Sequence, residues 1–377
     1  MKLAILGLGQ LGGSLALACR EAMPECHLTG FDIEASHGAL LRARGALDTV
    51  AHTPADAVRD ADLVVLATPL SAYTSLAQAI AHALAPQALV TDVGSVKHPM
   101  QQVAALLPHH AVLGSHPIAG GEKSGPEVAR AELFRSKLMI TTPDAATAEE
   151  TREATARFWQ ALGCTVLEMP VTVHDQMYAH VSHLPHVLAF LVADFFDACG
   201  VRLSTEETEL RTFLRISQSN PRMWTDIFLE NHVALLLPLS TFAALLSHFV
   251  RELRSGKDAD TTLLSHADIC KQFLPRIIAS TLISTVSLYE QQSEINVRPF
   301  AGAGMRDIVS PAASAPEDAL AIMSQHARCI ADALEAFLPR VKAMESLIGA
   351  QDSATLMQEV TRMQQAALRM LANETTH

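Results

Sequence analysis

Short apolar runs alternate with helical stretches over the first 170 residues, and after Pro170 the runs stop. They fall at 3–6, 27–31, 63–67, 88–92, 111–114, 137–141 and 165–168. Several are unbroken β-branched or aliphatic stretches, as strands covered on both faces require. Strands separated by helical segments specify a mainly parallel sheet. Beyond Pro170 the stretches 175–199, 223–254, 267–291 and 316–347 keep helical periodicity with no strand between them. The expectation is an α/β domain over 1–170 followed by an all-α domain over 171–377. With 377 residues, 49% hydrophobic and 18% charged, the chain can bury a core in each. Aromatics are only 5%, so those cores are mostly Ala, Leu, Val and Ile.

The first run ends directly in Gly7-Leu8-Gly9-Gln10-Leu11-Gly12, a G-x-G-x-x-G that opens a helical stretch over 13–22. In that position the motif reads as a Rossmann dinucleotide site. Gly7 permits the tight turn, Gly9 lets backbone approach a pyrophosphate, and Gly12 allows close helix–strand packing. The second strand ends in Asp32, about 20 residues after the last glycine, where a carboxylate accepts hydrogen bonds from a ribose 2′-hydroxyl and repels a 2′-phosphate. Glu34 adds negative charge and no arginine follows closely, which favours NAD over NADP. Thr68-Pro69, at the end of the run 63–67, is open to two readings: a cofactor contact or a simple strand-ending turn.

Two more strand ends carry polar clusters: Thr91-Asp92-Val93-Gly94-Ser95-Val96-Lys97, and Gly114-Ser115-His116-Pro117-Ile118-Ala119-Gly120-Gly121-Glu122. Ser95 alone would be a helix cap and His116 alone a loop histidine. A hydroxyl, an imidazole and a carboxylate converging beside a nicotinamide site point instead to chemistry. A third cluster, His174-Asp175 and Ser182-His183-Leu184-Pro185-His186, opens the helical half. His183 and His186 share a helix face, but no third ligand follows at metal spacing and hydride transfer requires no metal, so none is expected.

The net charge of −12 argues against nucleic acid or an anionic membrane as partner and leaves a small-molecule substrate in a locally positive pocket. The six cysteines, Cys19, Cys26, Cys164, Cys199, Cys270 and Cys329, form no C-x-x-C pair, so neither a zinc ribbon nor a disulfide scaffold is expected. Met1 to Leu6 run straight into a strand with no basic segment, and a cytoplasmic protein is expected. The uncharged stretch 231–250 is long enough to raise the question of a membrane span. Asn231, His232, Pro238, Ser240, Thr241 and His248 within it favour a helix buried between other helices.

The helical half also resembles itself. Leu184-Pro185-His186-Val187-Leu188-Ala189 is similar to Leu274-Pro275-Arg276-Ile277-Ile278-Ala279, and Arg211 precedes Pro221 by the spacing that separates Arg306 from Pro316. A duplication over about 174–257 and 264–350 would give this pattern, as would two Leu/Ala-rich helical hairpins of like composition. If real, the second copy could cover a surface that the first would otherwise bury in a dimer.

On five segments the chain resembles the prephenate/arogenate dehydrogenase family of tyrosine biosynthesis: GLGQLGGS from Gly7, TDVGSVK from Thr91, GSHPIAGGEKSG from Gly114, HDQMYAHVSHLPH from His174 and FLRISQSNPRMWTDI from Phe213. The resemblance implies a Rossmann domain, a helical domain through which subunits form a homodimer, and NAD-dependent oxidative decarboxylation of prephenate to 4-hydroxyphenylpyruvate. It gives His116 the role of accepting the substrate hydroxyl proton and Ser95 that of its hydrogen-bonding partner. Arg215 then binds the substrate carboxylate, Trp224, Ser182, His183 and His186 line the pocket, and Glu122 stands near its mouth. Gly7, Gly9, Gln10, Leu11, Gly12, Asp32, Thr68 and Pro69 hold the cofactor.

The sequence departs from the family where Gly-Phe-Arg-Asp is usual before the arginine: the lead-in here is Leu210-Arg211-Thr212. A closer match, Gly304-Met305-Arg306-Asp307, lies in the second half-repeat, with Ser310 where the arginine would stand. Arogenate is the rival substrate, and a non-catalytic dinucleotide sensor is the rival of another class. The β-hydroxyacid dehydrogenases would call for a lysine on the first long helix, yet none occurs between Lys137 and Lys257.

Overall fold

The structure, a computed structural model, describes residues 1–120, 123–204, 206–255, 265–313 and 325–372. The chain divides into two compact units, Met1–Asp175 and Gln176–His377.

The first unit carries strands β1 (Lys2–Leu6), β2 (His27–Phe31), β3 (Thr49–Val50), β4 (Leu63–Leu66), β5 (Leu89–Asp92), β6 (Ala111–Val112), β7 (Gly114–Pro117), β8 (Leu138–Thr142) and β9 (Thr165–Glu168). Its helices are α1 (Gln10–Ala22), α2 (Ala35–Ala43), α3 (Pro54–Val58), α4 (Tyr73–Ile80), α5 (His98–Leu106) and α6 (Glu149–Ala161). Six strands form one parallel sheet in the order β3-β2-β1-β4-β5-β6. Leu3 sits between Leu28 and Leu63, and Ile5 between Gly30 and Val65. Consecutive connections leave β1 in one direction and reach β4 on its other side. The crevice of such a sheet therefore opens beyond the carboxyl ends of β1 and β4.

The run 111–114 is not one strand. It breaks at Leu113: β6 closes the parallel sheet, and β7 turns away to pair antiparallel with β8 in a three-stranded sheet, β7-β8-β9. Side chains from the end of β5 take over where the ladder stops. Thr91 donates to the Leu113 carbonyl at 2.6 Å, Asp92 accepts the Ser115 N–H at 2.8 Å, and the Lys97 ammonium donates to the Ser115 carbonyl at 2.6 Å. β3 and the first turn of α1 were not legible in the periodicity, since β3 is two residues long and Gln10 precedes the apolar positions.

The second unit is helical throughout its described residues. A helix begins at α7 (Val171–Tyr178), widens into a π turn over Ala179–His183 and continues as α8 (Leu184–Ala198). Pro185 lacks an N–H to close an α-helical bond, and the wider turn lies just before it. Then follow α9 (Thr208–Arg215), α10 (Pro221–Glu230), α11 (His232–Ser255), α12 (His266–Ser293), α13 (Ala303–Val309), α14 (Ala327–Ala350) and α15 (Ser353–Leu371). The stretch 223–254 is two helices rather than one, broken at Asn231, whose buried amide turns inward. Pro316, expected to open a helix, lies outside the described residues.

Among the described residues two helices are long and apolar enough to cross a membrane, Val171–Ala198 and His232–Ser255. The first is the core of its unit, buried nearly all round. The second was expected to be buried between helices, but it packs on one side only: Leu235, Leu239, Phe242 and Leu246 are covered, whereas Val233 and Leu237 are 78% and 63% exposed.

Candidate active site

At the end of β1 the backbone of Gly7 takes φ 99°, and a Cβ there would lie 2.5 Å from the Ala67 carbonyl carbon. A Cβ on Gly12 would lie 1.9 Å from the Gly7 oxygen, so α1 rests directly on the turn. Above Gly9 nothing stands within 4 Å of a Cβ position, which leaves the approach to the α1 N-terminus open. No acidic residue occupies the first turn of α1, so its partial positive charge is left for an anion. Gln10 and Leu11 begin that helix, and Thr68 and Pro69 leave β4 beside Gly7. Asp32, directly after β2, has one carboxylate oxygen accepting the Leu8 N–H at 2.6 Å and the other the Glu34 N–H at 2.9 Å. The set fits a dinucleotide: a tight turn, an uncovered helix terminus and a carboxylate held at the same edge.

The polar clusters at the ends of β5 and β7 meet at this same end of the first unit. Asp92 and Lys97 form a fully buried ion pair. Asp92 also accepts from Tyr73 at 2.9 Å and from the Gly94 N–H at 2.9 Å. Burial holds the Lys97 ammonium below its ordinary value, against the pull of Asp92. Ser115 bonds Thr91 at 2.8 Å and accepts from the Trp159 indole at 3.1 Å. These groups fix the two loops; they are the part of the TDVGSVK segment that sequence reading left without a role.

His116 projects from β7 and is 8% exposed. Its Nδ1 lies 2.9 Å from Nε2 of His174, whose Nδ1 lies 2.7 Å from Asp175. Asp175 in turn accepts the N–H groups of Lys97 at 2.8 Å and His98 at 2.9 Å. Burial alone would raise the Asp175 carboxyl, but the bonds from His174 and the two amides outweigh it and hold it below the usual range. Burial also lowers the His174 imidazole, more than the neighbouring carboxylate raises it. A neutral His174 that donates from Nδ1 to Asp175 accepts at Nε2, so the bond between the two rings is donated by His116 Nδ1. His174 and Asp175 were visible as a pair in the sequence, but nothing there linked them to His116. Ser95, expected as the partner of His116, is half-buried, makes no side-chain hydrogen bond among the described residues and does not cap α5; the imidazole's partner is His174. Glu122 lies outside the described residues.

In the second unit the π turn presents Ser182 and His183. His183 Nδ1 accepts from the Asn231 amide at 2.8 Å, which accounts for the helix break at Asn231. His186 donates from Nδ1 to the Ser182 carbonyl at 2.8 Å and stacks on Trp224, with ring centroids 3.5 Å apart. Burial pushes the His186 imidazole down to about 3, so it is neutral. The Trp224 indole N–H is buried with no hydrogen-bond partner among the described residues, a donor available to a ligand. Arg215, the last residue of α9, meets Asp307 of α13 through Nε at 2.9 Å and a terminal nitrogen at 2.5 Å. Arg211 and Arg306, its two rivals for the family arginine, each donate to a backbone carbonyl, of Leu371 and Ala301.

Comparison with known proteins matches this architecture. The family model described as prephenate dehydrogenase, nucleotide-binding domain, fits residues 15–168; the one described as prephenate dehydrogenase, dimerization domain, fits 170–268 and 269–362. The chain belongs to the prephenate dehydrogenase family. A cyclohexadienyl dehydrogenase of Zymomonas mobilis is 35% identical over 68% of this chain and 87% of its own length. A prephenate dehydrogenase of Bacillus subtilis is 30% identical over 62% of this chain and 64% of its own. Among solved structures, a prephenate dehydrogenase from A. aeolicus in complex with hydroxyphenyl propionate and NAD+ superposes with a TM-score of 0.61 and 28% identity, covering 78% of this chain and 98% of that one. Family membership makes the chain an oxidoreductase with a nucleotide-binding domain.

Proposed function

We propose that this chain oxidatively decarboxylates prephenate to 4-hydroxyphenylpyruvate with NAD. The observation that carries the reading is the chain of hydrogen bonds Asp175–His174–His116; a neutral His116 that donates from Nδ1 has its lone pair on Nε2. Bound at the Gly7–Gly12 turn, NAD supplies the hydride acceptor. As hydride leaves the ring carbon that bears the hydroxyl, His116 takes the hydroxyl proton at Nε2 and a carbonyl forms. Loss of carbon dioxide from the opposite ring carbon sends its electron pair through the ring to that carbonyl. His116 then returns the proton to the phenolate oxygen, and aromaticity makes the sequence irreversible. Ser95, at the mouth of the β5 loop, is assigned to hydrogen-bond the same oxygen. The substrate is a dianion, and Arg215 offers the fork that suits a carboxylate. Ser182, His183, His186 and Trp224 are assigned to substrate binding, with the Trp224 N–H as a donor and neutral His186 avoiding a second fixed charge. Glu122 is assigned to the pocket mouth.

Asp32 and Glu34 favour NAD over NADP, since a 2′-phosphate would meet their negative charge. A chain using NAD and a small acid works where both are held, which we take to be the cytoplasm. The dimerization-domain match supports pairing of the helical half with another copy of that domain. The test is NADH absorbance on mixing purified protein with prephenate or arogenate and NAD or NADP. The expected result is turnover of prephenate with NAD and at least tenfold lower kcat/KM with NADP. Turnover of arogenate alone would overturn the substrate, and no turnover of either would favour the sensor.

A further inference from the structure

We propose that this chain contains both halves of the family's dimer: residues 269–362 are a second, site-less copy of the dimerization domain that pairs with the first within one chain, and from it Asp307 positions Arg215. The second clause rests on the substrate role given to Arg215 above; the first does not.

The dimerization-domain model fits two adjoining segments of similar length, 170–268 and 269–362. The structure repeats to match. The constant offset that carries His232 to Ala327 and Ser255 to Ala350 superimposes the bounds of α11 and α14, each 24 residues long. The same offset carries Thr208, the start of α9, to Ala303, the start of α13, and Arg211 to Arg306. Each copy opens on a long apolar helix with an internal Leu-Pro step, Leu184-Pro185 and Leu274-Pro275.

Equivalent helices also touch: α11 packs along α14, and α9 packs against α13. Contact between equivalent elements is the signature of a two-fold interface, here made between copies in one chain. Further ties cross the two copies. Arg254 at the end of α11 reaches Asp332 at 2.5 Å and Glu335 at 2.8 Å on α14, and His180 stacks on Tyr289 with ring centroids 4.1 Å apart.

The copies are unequal where the site lies. In the register of the Leu-Pro step, His183 and His186 of the first copy correspond to Phe273 and Arg276 of the second. In the register of the α9 and α13 helices, Arg215 corresponds to Ser310 and Thr212 to Asp307. The first copy keeps the arginine without the aspartate, and the second keeps the aspartate without the arginine. The ion pair between Arg215 and Asp307 joins what each retained. Gly304, three residues before Asp307, brings the backbone of α13 onto the site itself: a Cβ there would stand 3.1 Å from Cε1 of His186. The second copy therefore shapes one site and carries none.

Two measurements test this. Light scattering on the full-length protein should give the mass of one chain, 40.6 kDa, unchanged across a hundredfold range of concentration. A stable mass of two chains would overturn the internal pairing, whatever the activity. Separately, Asp307→Asn should raise KM for prephenate about tenfold with kcat within twofold and KM for NAD unchanged. The double variant Thr212→Asp with Asp307→Thr, which returns the aspartate to the arginine's own helix one turn away, should restore KM to within threefold. An unchanged KM in Asp307→Asn, or a double variant no better than Asp307→Thr, would overturn the positioning role. If the unaltered protein turns over no prephenate, the proposed function fails while the mass still decides the pairing.

Discussion

The two units place their chemistry by opposite means. In the first, side chains distant in sequence are placed at the strand ends: Asp32, Asp92 and Asp175 sit on or after different elements and are tied by backbone N–H donors, and His116 reaches Asp175 through His174. In the second, the groups lie on helices at helical spacing, and rings rather than backbone amides hold them, as where His186 stacks on Trp224. Under the proposed function the heavily hydrogen-bonded sheet edge would supply the base, and the helices would supply the paired arginine that binds the anion. Such a division suits a reaction that needs one well-placed proton acceptor and a binding surface for an anion.

The largest expected effect separates the two units by the kinetic constant each controls. His116→Asn should lower kcat by about 10²–10⁴ with little change in KM; near-normal turnover would take His116 out of the mechanism. Arg215→Gln should act the other way round. Losing a charged hydrogen bond of roughly 1.5–3 kcal/mol raises KM for prephenate about 10- to 150-fold while kcat stays close. Should Arg211→Gln or Arg306→Gln give that rise instead, the arginine assigned here is the wrong one.

Asp175→Asn sharpens the comparison within the first unit. It weakens the hold on the His174 tautomer, and kcat should fall on the order of tenfold to a hundredfold with the fold intact by circular dichroism. An unchanged kcat would reduce the relay to packing. The smallest effect is on stability against pH. Burial lowers His174, His180 and His186 in the folded protein, so below their unfolded value near 6.5 the unfolded chain binds protons that the native chain refuses. Stability should therefore decline as pH falls from 7 to 5. His186→Gln should show a shallower decline in thermal midpoint, and a slope equal to that of the unaltered protein would contradict a neutral, desolvated His186.

Much of this was legible in the sequence. The strand runs, the glycine turn with Asp32, and the helical half follow from periodicity and from the few conformations that glycine alone adopts. His116, His183, His186 and Arg215 were visible through motif strings. The link from His116 to His174 was not, because those residues are far apart in the chain and only the turning away of β7 brings the ring to the end of the first unit. Asn231 looked like one polar residue in an apolar helix; its role depends on a helix break that only the partner, His183, explains.

The amino-acid order alone determined which elements form, since local spacing of apolar side chains and backbone-permissive residues is written residue by residue. It also determined that the helical half resembles itself. Only tertiary structure decided that His116 meets His174 and, through it, Asp175, because such a bond depends on groups brought in from elsewhere in the chain. It likewise decided that Arg215 faces an aspartate of the other half-repeat, because ion pairing depends on distance in space, which sequence separation does not measure.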